Sequence, residues 1–194
     1  MMTLIPHPLS DSRAASDINA RVQWAATVSM TITFVLKGRL DQLRIPSPGL
    51  PGRADRLWEH TCFEAFIGVK SDPAYYEFNF SPSGEWAAYA FRAYRDGGTL
   101  EAARLKPAIE THRAADSLEL NAGIDLSSLS GIQLNSWLRI GLSAVIEEQD
   151  GRLSYWALKH PVARPDFHHP AAFALELGAP GEDAASIPAH TSKL

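Results

Sequence analysis

The stretch Tyr75-Tyr76-Glu77-Phe78-Asn79-Phe80-Ser81-Pro82-Ser83-Gly84-Glu85-Trp86-Ala87-Ala88-Tyr89-Ala90 decides the fold class. Two runs with a two-residue apolar period flank a tetrad that has Pro at the second turn position and Gly at the fourth. This is the chemistry of a type I turn closed by a glycine bulge. If Ser81 and Glu85 flank the turn, Asn79 faces Ala87 and Glu77 faces Tyr89. Phe78, Phe80, Trp86, Ala88 and Ala90 then share the opposite face. The hairpin has one apolar face and one mixed face, as a half-buried sheet requires.

Outward from this hairpin the alternation continues. Phe63, Ala65 and Ile67 alternate with Cys62, Glu64 and Phe66, which predicts a strand before Ser71-Asp72-Pro73. Trp24, Ala26, Val28, Met30, Ile32, Phe34 and Leu36 occupy even positions over a span too long for one strand, so a bulge or tight turn is expected near residues 25–28. Leu138, Ile140, Leu142, Ala144 and Ile146 form another strand pattern, and Asp150-Gly151 marks a hairpin after it. A two-residue loop there pairs Ile146 with Tyr155 and Val145 with Trp156. Leu153, Tyr155 and Ala157 would then point inward and Trp156 outward. Asp125 is placed to cap a single helical turn at Leu126-Ser127-Ser128, and Phe173, Leu175 and Leu177 suit a final strand.

No segment is long enough to serve as a crossover helix between parallel strands. The expectation is an all-β antiparallel sandwich of jelly-roll or immunoglobulin-like two-sheet architecture with few short helical turns. The domain limits read as a leader at residues 1–19, a sandwich at 20–177 and a tail at 178–194. The loop Ile45-Pro46-Ser47-Pro48-Gly49-Leu50-Pro51-Gly52 interrupts the sheet and could form one rim of a site.

Composition narrows the function. A chain of 194 residues has the size of one ordinary domain. Its 18 basic and 22 acidic side chains are dispersed, with no basic stripe, which disfavours a nucleic-acid partner. No run of about 20 apolar residues suggests a membrane span, and the first residues lack a basic and an apolar block, so a cytoplasmic location is expected. The lone Cys62 cannot form an internal disulfide. His60 lies two residues away, on the same strand face, but no oxyanion turn accompanies the pair. Asp166-Phe167-His168-His169 clusters possible ligands without the spacing of a metal site, so no metal is expected. Gly97-Gly98 lacks the strand-to-helix context of a phosphate loop.

What remains is the mixed sheet face. Glu64, Glu77 and Asn79 share it with Tyr75, Ala87 and Tyr89. Carboxylates and an amide hydrogen-bond to hydroxyls, and flat rings present apolar platforms to the C–H faces of sugars. Glu64, Glu77, Asn79, Tyr89 and Trp156 are therefore the candidate ligand-binding residues, with Arg92, Arg95, Asp166 and His168 from loops. No catalytic residue and no cofactor are assigned, and the expected partner is a small molecule of sugar type.

Three segments carry a family likeness: Leu57-Trp58-Glu59-His60-Thr61-Cys62-Phe63-Glu64-Ala65-Phe66, the run Tyr76 to Arg95, and Tyr155-Trp156-Ala157-Leu158-Lys159-His160-Pro161 with Pro165-Asp166-Phe167-His168. Together they resemble a DOMON-like domain of the bacterial MurB-associated subgroup. They are more distantly similar to family 9 carbohydrate-binding modules. The likeness covers most of residues 20–177. It implies an antiparallel β-sandwich that binds a small ligand without catalysis, sugars and haem being the ligands of the superfamily. Haem binding is thus the alternative, for which Met30 would be the methionine beyond the start. A protein-interaction module presenting an outward Trp156 is the third reading.

Overall fold

The computed structural model describes residues 1–100, 105–133 and 135–180. Among these, thirteen strands and four short 3-10 turns account for the regular structure. The strands are β1 (Met2–Pro6), β2 (Ala15–Ala26), β3 (Ser29–Gly38), β4 (Gly52–Arg53), β5 (Cys62–Val69) and β6 (Tyr75–Phe80). They continue as β7 (Glu85–Ala93), β8 (Asp96–Thr99), β9 (Ala108–Arg113), β10 (Ser117–Asp125), β11 (Leu138–Glu147), β12 (Leu153–Ala157) and β13 (Leu175–Leu177).

The protein is all-β, but its architecture departs from two separate antiparallel sheets. The strands form one sheet in the order β4-β7-β6-β5-β11-β12-β1-β2-β3-β10-β9, with β13 also on β11 and β8 also on β7. The sheet curls into a half-barrel around its apolar face, bringing Phe34 of β3 within 5.1 Å of Phe63 of β5 between ring centroids. The ladder is mixed, because β4 runs parallel to β7 at Gly52↔Glu85 and Arg53↔Trp86.

The join between the two halves is β1, and it corrects the expectation of a leader at residues 1–19. Met2, Thr3 and Leu4 pair with β2, while Ile5 and Pro6 pair with Ala157 and Trp156 of β12. Leu4 and Ile18 are fully enclosed in the core. A strand of five residues with Pro at its last position has too short an alternation to register as a periodic signal, although Pro costs nothing where the ladder ends. Of the expected 178–194 tail, residues 181–194 lie outside the described residues.

The core is built from the alternating faces. Met30, Ile32, Phe34 and Leu36 of β3 meet Phe63, Ala65 and Ile67 of β5, Phe78 and Phe80 of β6, and Leu138 to Ile146 at even positions of β11. Met30 is fully buried there, packed within the core. The long 24–36 alternation is broken by a turn at Thr27-Val28, with a bulge between Trp24 and Ala26. Asp125 does cap the 3-10 turn Leu126–Ser128, its Oδ1 accepting from Ser127 N at 2.9 Å.

Two hairpins use the same turn. Gly84 (φ 91°) closes Ser81–Glu85, and Gly151 (φ 86°) closes Glu148–Arg152. In each, the glycine N–H donates to the carbonyl three residues back, and the flanking residues are joined by Ser81 N to Glu85 O or Glu148 N to Arg152 O. The first turn gives the expected Asn79↔Ala87 and Glu77↔Tyr89 pairs. The second loop has one residue more than the sequence suggested, so Val145 pairs with Tyr155 and Ala144 with Trp156. A slip of one residue exchanges the two faces of a strand. Trp156 therefore lies in the core at 4% exposure, its Nε1 donating to Ser154 Oγ, and Tyr155 takes the outer face.

Gly38, at φ +148°, lets the end of β3 pass against the entry to β2. A Cβ there would sit 2.1 Å from the Ala14 carbonyl oxygen. Gly38→Ala is expected to lower stability by more than about 1 kcal/mol, read as a shift of the urea midpoint with an unchanged slope.

Candidate functional site

The outer face of β5, β6, β7, β11 and β12 forms a floor, with the 3-10 turn Leu57–Glu59 at its side and the loop residues Pro165, Phe167 and His168 above it. Together they enclose a cleft of about 630 Å³. Its walls are mainly aromatic: Trp58, Phe66, Tyr89, Phe91, Tyr155 and Phe167. Phe66, Tyr89, Phe91 and Tyr155 come from the alternation that put their neighbours in the core. Phe63, Ala65 and Ile67 face in, so Glu64 and Phe66 face out. Ala88 and Ala90 face in, so Tyr89 and Phe91 face out. Trp58 arrives on the 3-10 turn Leu57–Glu59 and meets Tyr89 edge to face at 5.8 Å.

Glu64 and Glu77 form the polar floor. Glu64 pairs with Asn79 across β5 and β6, and Glu77 lies two residues before Asn79, so the carboxyls are diagonal neighbours on one sheet face. They are 3% and 6% exposed and line the cleft. Ser143 Oγ donates to Glu64 at 3.1 Å, and Asn79 Nδ2 donates to Glu77 at 2.8 Å. Burial pushes the Glu64 carboxyl up to about 8, reinforced by the charge of Glu77. Burial likewise raises Glu77 to about 7, against the Asn79 hydrogen bond and the Arg95 charge. The pair is therefore partly protonated near neutral pH.

The roof is tied down by polar contacts. Asp166 accepts from Arg95 at 2.8 Å and from Tyr94 OH at 2.6 Å. His168 Nδ1 lies 2.9 Å from Tyr75 OH, which itself accepts from the Arg95 N–H at 3.2 Å. With Tyr75 donating to Nδ1, the His168 proton sits on Nε2, 3.6 Å from Glu77. Burial and then the Arg95 charge lower His168 to about 4, so this contact is between a neutral imidazole and Glu77. Arg95 itself adopts φ 54°, an uncommon conformation for a side-chain-bearing residue. Its backbone and guanidinium contacts are what hold it there.

Among the expected binding residues, the cleft gathers Glu64, Glu77, Tyr89, Arg95 and His168. Asp166 stands behind Arg95 as its partner. Asn79 is fully buried and serves Glu77 and Cys62. Arg92 points away, paired with Asp96 at 2.9 Å. Trp156 is on the core side, as described above. The cleft residues missing from the expectation include Phe66, Phe91, Leu153, Tyr155 and Phe167. The first two were signalled by the alternation that selected Glu64 and Tyr89, and Leu153 and Tyr155 would have followed from the correct loop length. His60 turns to Glu147, with Nδ1 at 2.7 Å from its carboxylate, and burial keeps the Cys62 thiol protonated. The two do not form a nucleophile and base. His169 Nδ1 accepts from Ala171 N, a cap within its own loop.

No protein-family model matches the sequence, and a search of curated proteins finds no match. Solved structures do resemble it. A presumptive carbohydrate-binding protein from Bacteroides uniformis aligns with a TM-score of 0.61 at 16% identity, over 88% of this chain and 83% of its own. A family 9 carbohydrate-binding module from Caldicellulosiruptor kristjanssonii, solved in complex with glucose, aligns with a TM-score of 0.55 at 12% identity, over 96% and 88%. The likeness is one of fold. It shows that this chain shares the fold of these structures.

Proposed function

We propose that the cleft binds a sugar and performs no chemistry on it. The observation that carries this reading is the union, in about 630 Å³, of flat aromatic walls with two buried carboxyls. Rings such as Tyr155 and Trp58 suit the apolar C–H faces of a pyranose, and the carboxyls suit its hydroxyls. The volume is that of a site for a small molecule and not of a flat protein-binding face. A non-catalytic role is supported by the placement of Glu64 and Glu77 on one wall. Glycosidase carboxyls instead flank the scissile bond from two sides. The fold likeness to a module solved with glucose and the DOMON-like segments point the same way.

Titration calorimetry with glucose, cellobiose and other short saccharides tests the reading. Binding should be measurable, and Tyr155→Ala should weaken it about tenfold, or ~1.4 kcal/mol. Trp137→Ala, which alters an exposed ring outside the cleft, should leave it unchanged. Saccharides that give no heat and no chemical-shift change at millimolar concentration would overturn the proposal.

A further inference from the structure

The charges lining the cleft do not balance. Glu59 is paired with Arg56 at 2.6 Å, and Arg95 with Asp166 at 2.8 Å. Asp55, which accepts from Tyr89 OH, is paired with Arg53 at 2.8 Å. Tyr75 spends its hydroxyl on His168, which stays neutral. Cys62, below Glu64 on β5, keeps its proton. Among the described residues, Glu64 and Glu77 receive hydrogen bonds from the neutral donors Ser143 and Asn79, and the N–H of the neutral His168 lies 3.6 Å from Glu77. Arg95, whose charge is felt by Glu77, is held in its own ion pair with Asp166. Two buried carboxyls thus face a cleft with no counter-ion of their own among the described residues.

Such a pair is costly to ionise unless a cation arrives. An ammonium group offers three charge-assisted N–H donors to this floor, where a hydroxyl offers one neutral donor. The surrounding rings, Tyr89, Trp58 and Phe66, also favour a cation over their faces. We infer that the sugar selected by this cleft is an amino sugar, its ammonium seated between Glu64 and Glu77. The inference rests on the sugar reading above and narrows it to one class. A cation displaces a proton from the carboxyls below their titration range, so binding should release protons. Affinity should rise with pH for as long as the amine stays charged.

The test compares glucosamine, glucose, N-acetylglucosamine and cyclohexylamine by calorimetry at about pH 6.5, where an amine is charged, in two buffers of different ionisation enthalpy. Glucosamine is expected to bind at least about tenfold more tightly than either neutral sugar, with an apparent enthalpy that changes with buffer as protons are released. Glu77→Gln should bring the ratio of glucosamine to glucose affinity close to one. Glu64→Gln should do the same, and either variant suffices if the other fails to fold. If the neutral sugars bind at least as tightly as glucosamine, the inference falls and the sugar reading stands. If cyclohexylamine binds as well as glucosamine while neutral sugars do not bind, or if no probe binds, both fall.

Discussion

A chain lacking residues 1–19 is expected not to fold. The deletion removes β1 and the first residues of β2, and with them the pairing of β1 to both neighbours. Leu4 and Ile18 leave the core. Glu148, buried at the far hairpin, loses the backbone donors Arg13 N at 2.7 Å and Ala14 N at 3.0 Å. A domain stable by about 5–15 kcal/mol does not survive the loss of a central strand together with two stranded ladders. Leu4→Ala alone should cost about 2–5 kcal/mol by the cavity it leaves. Circular dichroism and a urea titration read both. A truncated chain that unfolds cooperatively with a near-native midpoint would show that the two halves are held together by something other than β1.

The second large effect is a loss of stability with rising pH. Glu64 and Glu77 titrate near 8 and 7 in the folded protein, above their ordinary value of 4.5. Between those limits the folded state binds more protons than the unfolded one, so stability falls as pH rises and levels off above about 8. His168 acts in the opposite sense. Its pKa is lowered to about 4 from 6.5, so its contribution is present above 6.5 and lost as pH falls towards 4. The two effects oppose each other below 6.5, which leaves pH 6.5 to 8 as the window where the carboxyls stand alone. The slope there should be at most about 1.4 kcal/mol per pH unit for each group. Glu64→Gln keeps an acceptor for Ser143 and cannot ionise. It should flatten the slope and exceed the parent in stability at about pH 8.5, below the range where Cys62 begins to matter. Urea midpoints across this window provide the measurement, and a flat or rising profile in the parent protein would contradict the placement of the pair.

The all-β class and the polar floor of the cleft were legible because they rest on two-residue alternation, which a sequence displays directly. Glu64, Glu77 and Tyr89 were found by assigning a face to every second residue around one well-marked turn. The same procedure misplaced Trp156, because Glu148-Gln149-Asp150-Gly151 carries its turn without a proline, and one uncounted residue exchanges both faces of the following strand. The role of residues 2–6 was invisible for a different reason. Five residues hold too few alternations to announce a strand, and β1 owes its position to partners far away in the sequence. Curling of the sheet into one half-barrel follows from that strand, so it could not be read locally either. The roof over the cleft is likewise irregular chain, held by Asp166 and His168 through contacts that no period encodes.

The position of β1 also bears on how the protein emerges during translation. Ile5 waits for Ala157, and the ladder between them cannot close until β12 has been made. At about 5–20 residues per second, the first strand is synthesised roughly 8–30 s before its second partner exists. During that interval β2 can cover one side of it, and the other side offers unpaired backbone to any extended segment nearby. Long-range closure of this kind also slows refolding from denaturant, since loop entropy must be overcome before the pairing is gained. The strand that makes the finished sheet continuous is therefore, in the nascent chain, an open edge available to the wrong partner.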